Sequence, residues 1–324
     1  MSDNHPSVSI GLPVFNGEGY VAEAIESLLA QTYRHFELII SDNASTDNTE
    51  AICRSFAEQD SRVRYCRQDR NGGGMWNFNH VVGLARGKYF KWAAHDDTCA
   101  PTFLERCVEV LDQNSEIVWC YTQSAKIDPL GRRMTEDPEE GTGTRGVVHT
   151  SEAGFPRRHH DSSYPHGRFL GVLLGPSWAA DFFGVIRTNL LRQTRLIPHC
   201  YGGEKVLTAE LALRGPSYEI PETLFFTRVH AAASGNDNSA SAQRSFNASR
   251  SSRRSEFTRL ALLLGYVKAV RNTKLGLIES VKCWFVILRY LFQVNKWKKV
   301  FLNLLNGAGV GNRKLRPASI KGTT

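Results

Sequence analysis

The chain has 324 residues, of which 41% are hydrophobic and 22% are charged. This composition supplies enough apolar side chains for a sizeable core and excludes a globally disordered protein. The net charge of +8 is uneven, because the residues from Arg244 onward carry 17 basic and two acidic side chains, whereas residues 1–243 carry 23 basic and 30 acidic ones. We therefore expect a globular domain followed by a basic tail that suits an anionic surface.

The seven cysteines are scattered and odd in number, and no two of them are spaced as C-x-x-C. This pattern argues against a disulfide framework or a zinc knuckle, and it favours a reducing compartment. Residues 1–10 lack the basic stretch followed by an apolar stretch that a signal peptide needs. We therefore expect a cytoplasmic protein.

The first hundred residues alternate between apolar runs of strand length and stretches with helical periodicity. The order is β-α-β-α-β-α-β, which is typical of a mostly parallel sheet with helices packed on its faces. In such sheets, ligands bind at the carboxyl ends of the strands. The predicted strands are residues 8–15, 36–41, 63–66 and 88–93, and the predicted helices are residues 20–30, 47–59 and 75–86.

The loops that follow these four strands are rich in small, polar and acidic residues. Because the carboxyl ends of parallel strands lie at one edge of the sheet, these loops should converge, and their composition predicts a nucleotide pocket. The loops are residues 16–19, 42–47, 70–74 and 95–97.

The pattern is weaker beyond residue 110. It predicts strands near residues 117–121 and 181–186 and a helix at about residues 205–214, while residues 128–164 should form a loop over the site. The region after residue 234 is rich in Ser, Asn and Arg, which is typical of a linker. The predicted organisation is a catalytic domain at 1–235, with a nucleotide-binding half at about 1–125 and an acceptor half at about 126–235, then a linker at 236–255 and a basic amphipathic helical tail at 256–324.

Several sequence runs in the first hundred residues resemble a known family. They are PVFN at 13–16, AIESLLAQTY at 24–33, FELIISDNASTDNT at 36–49 and RGKY at 86–89, followed by the acidic pair Asp96 and Asp97. In this order they resemble glycosyltransferase family 2, the inverting transferases with a GT-A fold. The resemblance is close over roughly residues 8–110 and implies a Rossmann-like, mostly parallel α/β sheet flanked by helices.

Sugar transfer from a nucleotide diphosphate requires a pocket for the base, a cation to neutralise the departing diphosphate and a general base for the acceptor hydroxyl. By resemblance, the carboxylate of Asp42 accepts a hydrogen bond from the N3–H of uracil or thymine, which favours a UDP or dTDP donor. The alternative is that Asp42 caps the following helix, although Ser45 and Asp47 are better placed for capping. The other candidates for nucleotide binding are Pro13, Phe15, Asn16, Glu18, Arg70 and Asp96.

The adjacent carboxylates of Asp96 and Asp97 follow an apolar strand and repel each other unless a cation neutralises them. A hard divalent ion with oxygen ligands does this well, so we expect Mg²⁺ or Mn²⁺ here. The alternative is a helix start. The common family pattern is Asp-x-Asp-Asp, and Ala94 occupies the position of its first Asp. The chain resembles instead a branch with Trp-x-x-His-Asp-Asp at 92–97, in which His95 could serve as a further metal ligand or as a donor to phosphate.

Two later segments also resemble parts of the family. The run at 201–215 resembles the segment that carries the catalytic carboxylate, which implies Glu204 as the general base, although Lys205 replaces the acidic neighbour. The alternative is an acid that only stabilises a helix N-terminus. Arg228 and His230 resemble the closing Arg-x-His and are expected at the diphosphate or the metal. The alternative for the histidine is a buried structural role.

The tail contains apolar residues at helical spacing beside a basic stripe. Its longest uninterrupted apolar run, residues 283–288, is far shorter than the roughly 20 residues of a membrane-spanning helix. We expect the helix to lie in the headgroup region on the inner face of the cell membrane. The alternatives are packing on the catalytic domain and homo-oligomer formation. The apolar face comprises Leu277, Val281, Trp284, Leu288 and Leu291, and the basic stripe comprises Lys282, Arg289 and Lys296.

These observations favour a metal-dependent, hexosyltransferase-like enzyme acting on a carbohydrate or lipid-linked acceptor in bacterial surface polysaccharide or glycolipid assembly. The alternative is a catalytically inactive nucleotide-sugar-binding or scaffold protein at the membrane, which Ala94 and Lys205 motivate. A nucleic-acid partner is not expected, because the basic tail lacks interleaved aromatic readout motifs. Dinucleotide binding is disfavoured, because Gly17-x-Gly19 lacks the third glycine of the fingerprint.

Overall fold

The structure is a computed structural model that describes residues 5–134, 162–175, 179–231 and 258–293, together with Trp297. The expected linker at 236–255 lies outside the described residues. So do most of the expected loop at 128–164 and, apart from Trp297, the tail beyond residue 293, which includes Lys296.

The first half of the chain forms the alternating elements that its periodicity predicts. β1 and β2 are buried along their whole length, as strands covered by helices on both faces are. The boundaries agree with the predicted ones to within a few residues. The elements are β1 (Val8–Val14), α1 (Val21–Leu29), β2 (Phe36–Asp42), α2 (Thr49–Gln59), β3 (Val63–Arg67), α3 (Gly74–Leu84) and β4 (Tyr89–Trp92).

The second half completes one sheet of eight strands in the order β3-β2-β1-β4-β7-β6-β8-β5. β7 and β5 run antiparallel to the other six, so the expectation of a mostly parallel sheet flanked by helices is confirmed. The elements are β5 (Thr98–Cys99), α4 (Phe103–Gln113), β6 (Trp119–Ile127), α5 (Pro165–Leu174), β7 (Val185–Arg187), α6 (Thr188–Leu191), α7 (Gly203–Arg214) and β8 (Ser217–Arg228).

The strand predicted at 181–186 is wrong in its first part. Residues Ala179–Phe183 form a 3₁₀ helix, and only the part from Val185 onward is β7. The buried carboxylate of Asp181 accepts a hydrogen bond from the backbone N–H of Phe182 (3.0 Å), and the Asp181 carbonyl accepts one from Gly184 (3.2 Å). These local bonds favour a turn over an extended strand.

Helices cover both faces of the sheet and enclose two hydrophobic cores. One core lies under α1, α2 and α4. The other lies under α3, α5 and α7, and it continues into two helices from the tail, α8 (Thr258–Asn272) and α9 (Leu277–Leu291). This part of the tail therefore packs on the catalytic domain, which is one of the alternatives that the sequence leaves open. Among the described residues, no helix is long and apolar enough to cross a membrane.

β4 leads into the acidic pair and is anchored on both faces. The indole N–H of Trp92 donates to the Phe78 carbonyl (2.8 Å), and its ring stacks on Phe182 with centroids 4.5 Å apart. The ammonium group of Lys91, on the opposite face, donates to the Phe183 carbonyl (2.6 Å) and lies 4.3 Å from the Phe103 ring centroid. Because both side chains are fully buried, the strand holds the loop after it at a fixed place.

Candidate active site

The loops after β1 and β2 are joined to each other at the carboxyl edge of the sheet. The Asn16 backbone N–H donates to Ser45 Oγ (2.9 Å), and the Asn16 side-chain oxygen accepts from the backbone N–H of Thr46 (2.8 Å). Glu18 Oε2 accepts from the backbone N–H of Asn48 (2.9 Å). Asn16 and Glu18 thus shape this edge, on which the Phe15 ring is exposed, while Pro13 is buried within β1. Their contacts with a nucleotide stay predictions.

Asp42 ends β2 and is completely buried. Its Oδ1 accepts from the backbone N–H of Ser45 (2.8 Å), and its Oδ2 accepts from the Tyr65 hydroxyl (2.7 Å) and from Arg67 Nη1 (2.9 Å). Both carboxylate oxygens therefore already have donors on the chain. Burial and the bond to Asp42 raise the pKa of the Tyr65 hydroxyl, which keeps it protonated as a donor. The contact between Asp42 and a base stays a prediction. An N–H of the base would have to share the carboxylate oxygens of Asp42 with donors already present on the chain, such as Tyr65 and Arg67.

The loop after β3 is held by two asparagines. Asn43 Nδ2 donates to Asn71 Oδ1 (2.9 Å), and the backbone N–H of Gly72 donates to Asn43 Oδ1 (2.9 Å). Gly73 has a φ of 90°, a conformation that glycine adopts without strain. Arg70 is exposed beside this pair. The fold therefore leaves Arg70 at the surface of the carboxyl edge of the sheet, and its contact with a nucleotide stays a prediction.

The acidic pair lies against the end of β8. Asp97 Oδ1 accepts from the backbone N–H of Arg228 (2.9 Å), and Asp96 Oδ2 lies 3.0 Å from His230 Nε2. The partners are 131 and 134 positions apart in the chain. The fold thus brings together four residues that the sequence analysis selected separately.

The protonation of Asp97 is set by its surroundings. Burial, together with the neighbouring Asp96 carboxylate, raises the pKa of Asp97 to about 8, while the Arg228 backbone N–H and the nearby Lys91 act in the opposite direction. The positive charge of Lys91 and Arg228 is therefore not enough to keep both carboxylates ionised at neutral pH. A divalent cation would supply the missing charge.

The side chain of Arg228 is fully buried and connects β8 to three other segments. Its Nε donates to the Asp96 carbonyl (2.9 Å), its Nη1 lies 3.2 Å from the carbonyls of Asp128 and Pro129, and its Nη2 pairs with Glu23 Oε2 (2.6 Å). The guanidinium also lies 4.9 Å from the Tyr20 ring centroid. An arginine so engaged positions the acidic loop. Its expected contact with the diphosphate stays a prediction, and it would require the side chain to leave these partners.

The sequence analysis missed Tyr20 and Glu23 as parts of this site. Both lie on or next to α1, and the Tyr20 ring packs against His230 with centroids 4.6 Å apart. The only signal in the sequence was their nearness to the first polar loop. That signal was too weak to select them, because their partners come from β8 and the segment after it.

His95 packs closely over the first polar loop. A Cβ atom added to Gly17 would lie 2.7 Å from His95 Cδ2 and 2.8 Å from Val14 Cγ2, so only glycine fits here without displacement. The glycine of this loop therefore makes room for the imidazole.

The residues present suit a cation whose ligands come partly from the protein and partly from a substrate. Within the described part of the chain, no group of three His, Cys, Asp or Glu side chains converges as a protein-only metal site would. Mg²⁺ and similar ions are commonly held by one or two carboxylates together with substrate phosphates and water. The carboxylates of Asp96 and Asp97 fit this pattern, and His95 and His230 are the neighbouring nitrogen donors.

Glu204 lies in the first turn of α7, directly after Gly202 and Gly203, and Gly202 has a φ of 75°. Burial raises the pKa of Glu204, while its own backbone N–H and the charge of Lys205 act against the rise. A raised pKa suits a general base that works near neutral pH. The negative charge of Glu204 contributes to raising the pKa of its neighbours Cys200, Tyr201 and Tyr266. No hydrogen bond or ion pair of the described residues joins it to the acidic pair.

Comparison with known sequences identifies the family of this chain. The profile of glycosyl transferase family 2 matches residues 9–170, which is half of the chain. The glycosyltransferase GlyG of Streptococcus pneumoniae is 33% identical over 112 residues, which cover 34% of this chain and 37% of that protein. The putative glycosyltransferase EpsE of Bacillus subtilis is 32% identical over 147 residues, covering 44% and 53%. An uncharacterized glycosyltransferase of Rickettsia bellii is 39% identical over 41% of this chain and 19% of its own length. The chain thus spans only part of these relatives.

Solved structures share the fold across almost the whole chain. The Staphylococcus aureus TarS fragment 1–349 in complex with UDP superposes with a TM-score of 0.61 at 15% identity, covering 92% of this chain and 75% of that one. The mannosyltransferase PcManGT of Pyrobaculum calidifontis in complex with GDP-Man and Mn²⁺ superposes with a TM-score of 0.56 at 15% identity, covering 95% and 77%. The expectation of a GT-A fold is therefore confirmed. The chain belongs to glycosyltransferase family 2.

Proposed function

We propose that the chain is an inverting, metal-dependent, hexosyltransferase-like enzyme that moves a sugar from a nucleotide diphosphate to an acceptor hydroxyl. The observation that carries this proposal is the acidic pair at the end of β4, held by the end of β8 at the carboxyl edge of a GT-A sheet. Two adjacent carboxylates whose surroundings do not supply enough positive charge to keep both ionised are suited to a cation brought in with a diphosphate.

In this proposal Asp96 and Asp97 hold Mg²⁺ or Mn²⁺, with His95 or His230 beside them. The ion, when bound, would neutralise charge on the departing diphosphate. The protein's own part is to keep the two carboxylates in place, which Arg228 does from its main chain and its guanidinium. We also propose that the chain is a member of the Trp-x-x-His-Asp-Asp branch. The structural relative PcManGT is in complex with GDP-Man and Mn²⁺, which supports a divalent ion here.

Glu204 is the proposed general base. Its carboxylate takes the proton from the acceptor hydroxyl, whose oxygen then forms a bond to the anomeric carbon on the face opposite the nucleotide. The bond from that carbon to the diphosphate oxygen breaks, and the configuration inverts. The raised pKa of Glu204 and its position at the start of α7 support this role.

The donor is proposed to be UDP- or dTDP-linked, because a carboxylate such as Asp42 accepts from the N3–H of a pyrimidine base. The structural relatives include complexes with UDP-GlcNAc and with GDP-Man, so they support a nucleotide sugar in general. The proposed acceptor is a carbohydrate or a lipid-linked sugar of bacterial surface polysaccharide or glycolipid assembly. The enzyme would work in the cytoplasm, at the inner face of the cell membrane.

A calorimetric titration with UDP, dTDP and GDP, each with and without Mn²⁺, tests the donor and the metal together. We expect tighter binding of the pyrimidine nucleotides and a gain on adding Mn²⁺. Turnover assays of the Asp96→Ala and Asp97→Ala variants then test the mechanism, with Glu58→Gln, an exposed carboxylate on α2, as the control. Full activity in both aspartate variants would show that this mechanism is wrong.

The second candidate function is a nucleotide-sugar-binding scaffold without catalysis. The absence of an Asp at position 94 and the replacement of the second acid by Lys205 favour it. Donor binding without turnover over a broad panel of acceptors would support the scaffold. Turnover that falls in Glu204→Gln would support the transferase.

A further inference from the structure

The helix α9 is apolar on nearly its whole circumference. Its inner face packs towards α5 and α8 through four buried residues, Cys283, Val286, Ile287 and Tyr290. Its remaining large apolar side chains are exposed, with Leu277 at 83%, Phe292 at 77% and Phe285 at 65%. A helix that is apolar all round is normally covered on all sides. We therefore expect the exposed apolar side of α9 to bind a partner.

The exposed side chains form one continuous surface. At about 100° per residue they fall within an arc of about 140° that lies opposite the buried residues, and over about 22 Å of helix length the arc contains no charged residue. A strip of this size exceeds the isolated apolar residues that soluble surfaces normally expose. We call it the outward face of α9, and it comprises Leu277, Ile278, Val281, Trp284, Phe285, Leu288, Leu291 and Phe292.

Basic residues border this face. Lys282 and Arg289 are exposed and follow the apolar arc along one side of the helix, and Lys274 is exposed just before the helix begins. The acid on this helix, Glu279, lies behind this border: its Oε2 accepts from the backbone N–H of His166 (3.2 Å) and lies 2.8 Å from His166 Nδ1, and its Oε1 pairs with Lys282 Nζ (3.3 Å). The surface is thus apolar in the middle and cationic at its edge.

Neighbouring aromatic residues extend the same surface. Tyr164, next to the start of α5, is 61% exposed, and its ring centroid lies 5.6 Å from Lys282 Nζ. Aromatic rings beside basic side chains are typical of proteins that lie at the boundary between lipid headgroups and acyl chains. The 15-residue helix is too short to span a bilayer, so the surface suits lying on one.

We propose that the outward face of α9 docks on the surface of an anionic lipid bilayer, with its apolar side chains at the acyl boundary and with Lys282 and Arg289 among the headgroups. Charge complementarity selects this occupant over a second copy of the chain. An antiparallel pair of α9 helices would bring the basic borders of both copies to the same side, where they repel, and in a parallel pair each border would meet an edge of the partner's outward face that carries no acid. An anionic bilayer is attracted by the same border. This inference does not depend on the catalytic proposal.

Flotation of the full-length protein with vesicles tests this docking. The vesicles are phosphatidylcholine alone or phosphatidylcholine with about 30% phosphatidylglycerol. We expect binding to the mixed vesicles and at least about ten-fold weaker binding to the neutral ones, because the basic border adds to the apolar contact. A wild-type protein that binds neither kind of vesicle would overturn the proposal.

The triple variant Leu277→Ser, Phe285→Ser and Phe292→Ser tests the surface itself. These side chains are exposed, so the melting temperature should not fall, while vesicle binding should drop by at least about ten-fold. Leu130→Ser, at a residue exposed to 75% elsewhere on the chain, is the matched control and should bind as the wild type does. Unchanged binding of the triple variant would overturn the proposal. So would a wild-type dimer in solution that the triple variant converts to a monomer, because the face would then be a subunit interface.

Discussion

Replacement of Asp97 by asparagine is expected to stabilise the metal-free protein while abolishing sugar transfer. The carboxyl of Asp97 is buried next to Asp96, which raises its pKa from about 3.8 to about 8. The folded protein therefore holds a proton that the unfolded chain releases between about pH 4 and pH 8. Since the unfolded state binds fewer protons in this window, the free energy of unfolding falls as the pH rises through it.

The magnitude follows from the size of the shift. Four pKa units correspond to about 5 kcal/mol of differential interaction, which is fully felt only above about pH 8. Asparagine keeps an oxygen for the Arg228 backbone N–H (2.9 Å), but it buries an amide N–H₂ that needs its own acceptors. We therefore expect a net stabilisation of about 1–3 kcal/mol at pH 8.5, and close to none at pH 4.

Urea unfolding in the presence of a chelator, at pH 4, 7 and 8.5, measures this difference. Asp96→Asn is the comparison variant: it removes the charge repulsion from Asp96 but leaves the Asp97 carboxyl buried, and it takes a partner from His230 (3.0 Å), so its gain at pH 8.5 should be smaller than that of Asp97→Asn. Added Mn²⁺ and donor nucleotide should stabilise the wild type, by about 2.7 kcal/mol at a hundred times the Kd, but not Asp97→Asn. An Asp97→Asn protein no more stable than wild type at pH 8.5 would refute the reasoning.

Three further predictions concern Glu37, near the amino end of β2, and two residues around the site. Burial alone would raise the pKa of Glu37, but hydrogen bonds from two arginines and a serine hold the pKa below its ordinary value. Glu37→Gln should therefore lower the free energy of unfolding at pH 7 by about 3 kcal/mol, measured by urea unfolding. This difference should shrink as the pH falls through the pKa of Glu37 in the folded state. Arg228→Met removes the donor to three carbonyls and should lower the free energy of unfolding by about 3 kcal/mol or more, which urea titration measures. Gly17→Ala should displace His95 and lower kcat/KM about ten-fold. Gly19→Ala is the control, because the space around its Cβ position is open, and it should leave kcat/KM unchanged. Equal kcat/KM values for the two variants would contradict the packing argument.

The amino-acid sequence determined the order of the elements in the first half and the place of the polar loops. Apolar runs such as the one in β2 identify buried strands, and the rule that ligands lie at strand carboxyl ends selects the loops that hold Asp42 and the pair Asp96–Asp97, while the role of Asp42 came from the family resemblance. The family resemblance then gave the GT-A fold. The 3₁₀ helix before β7 was not predicted, because the hydrogen bonds to Asp181 outweigh an apolar pattern that also fits a strand.

The tertiary structure alone decided which side chains meet. His230 reaches Asp96 across 134 positions of sequence, and no local pattern reports a contact of that range. It also turned Arg228 inward, since the three segments around it supply carbonyls for its Nε and Nη1 and a carboxylate that forms an ion pair with its Nη2. For α9, the sequence shows apolar residues around most of the helix beside one basic stripe, and only the positions of α5 and α8 decide which of the apolar residues are buried. The outward face is what remains, because a helix can present only one side to the core it joins.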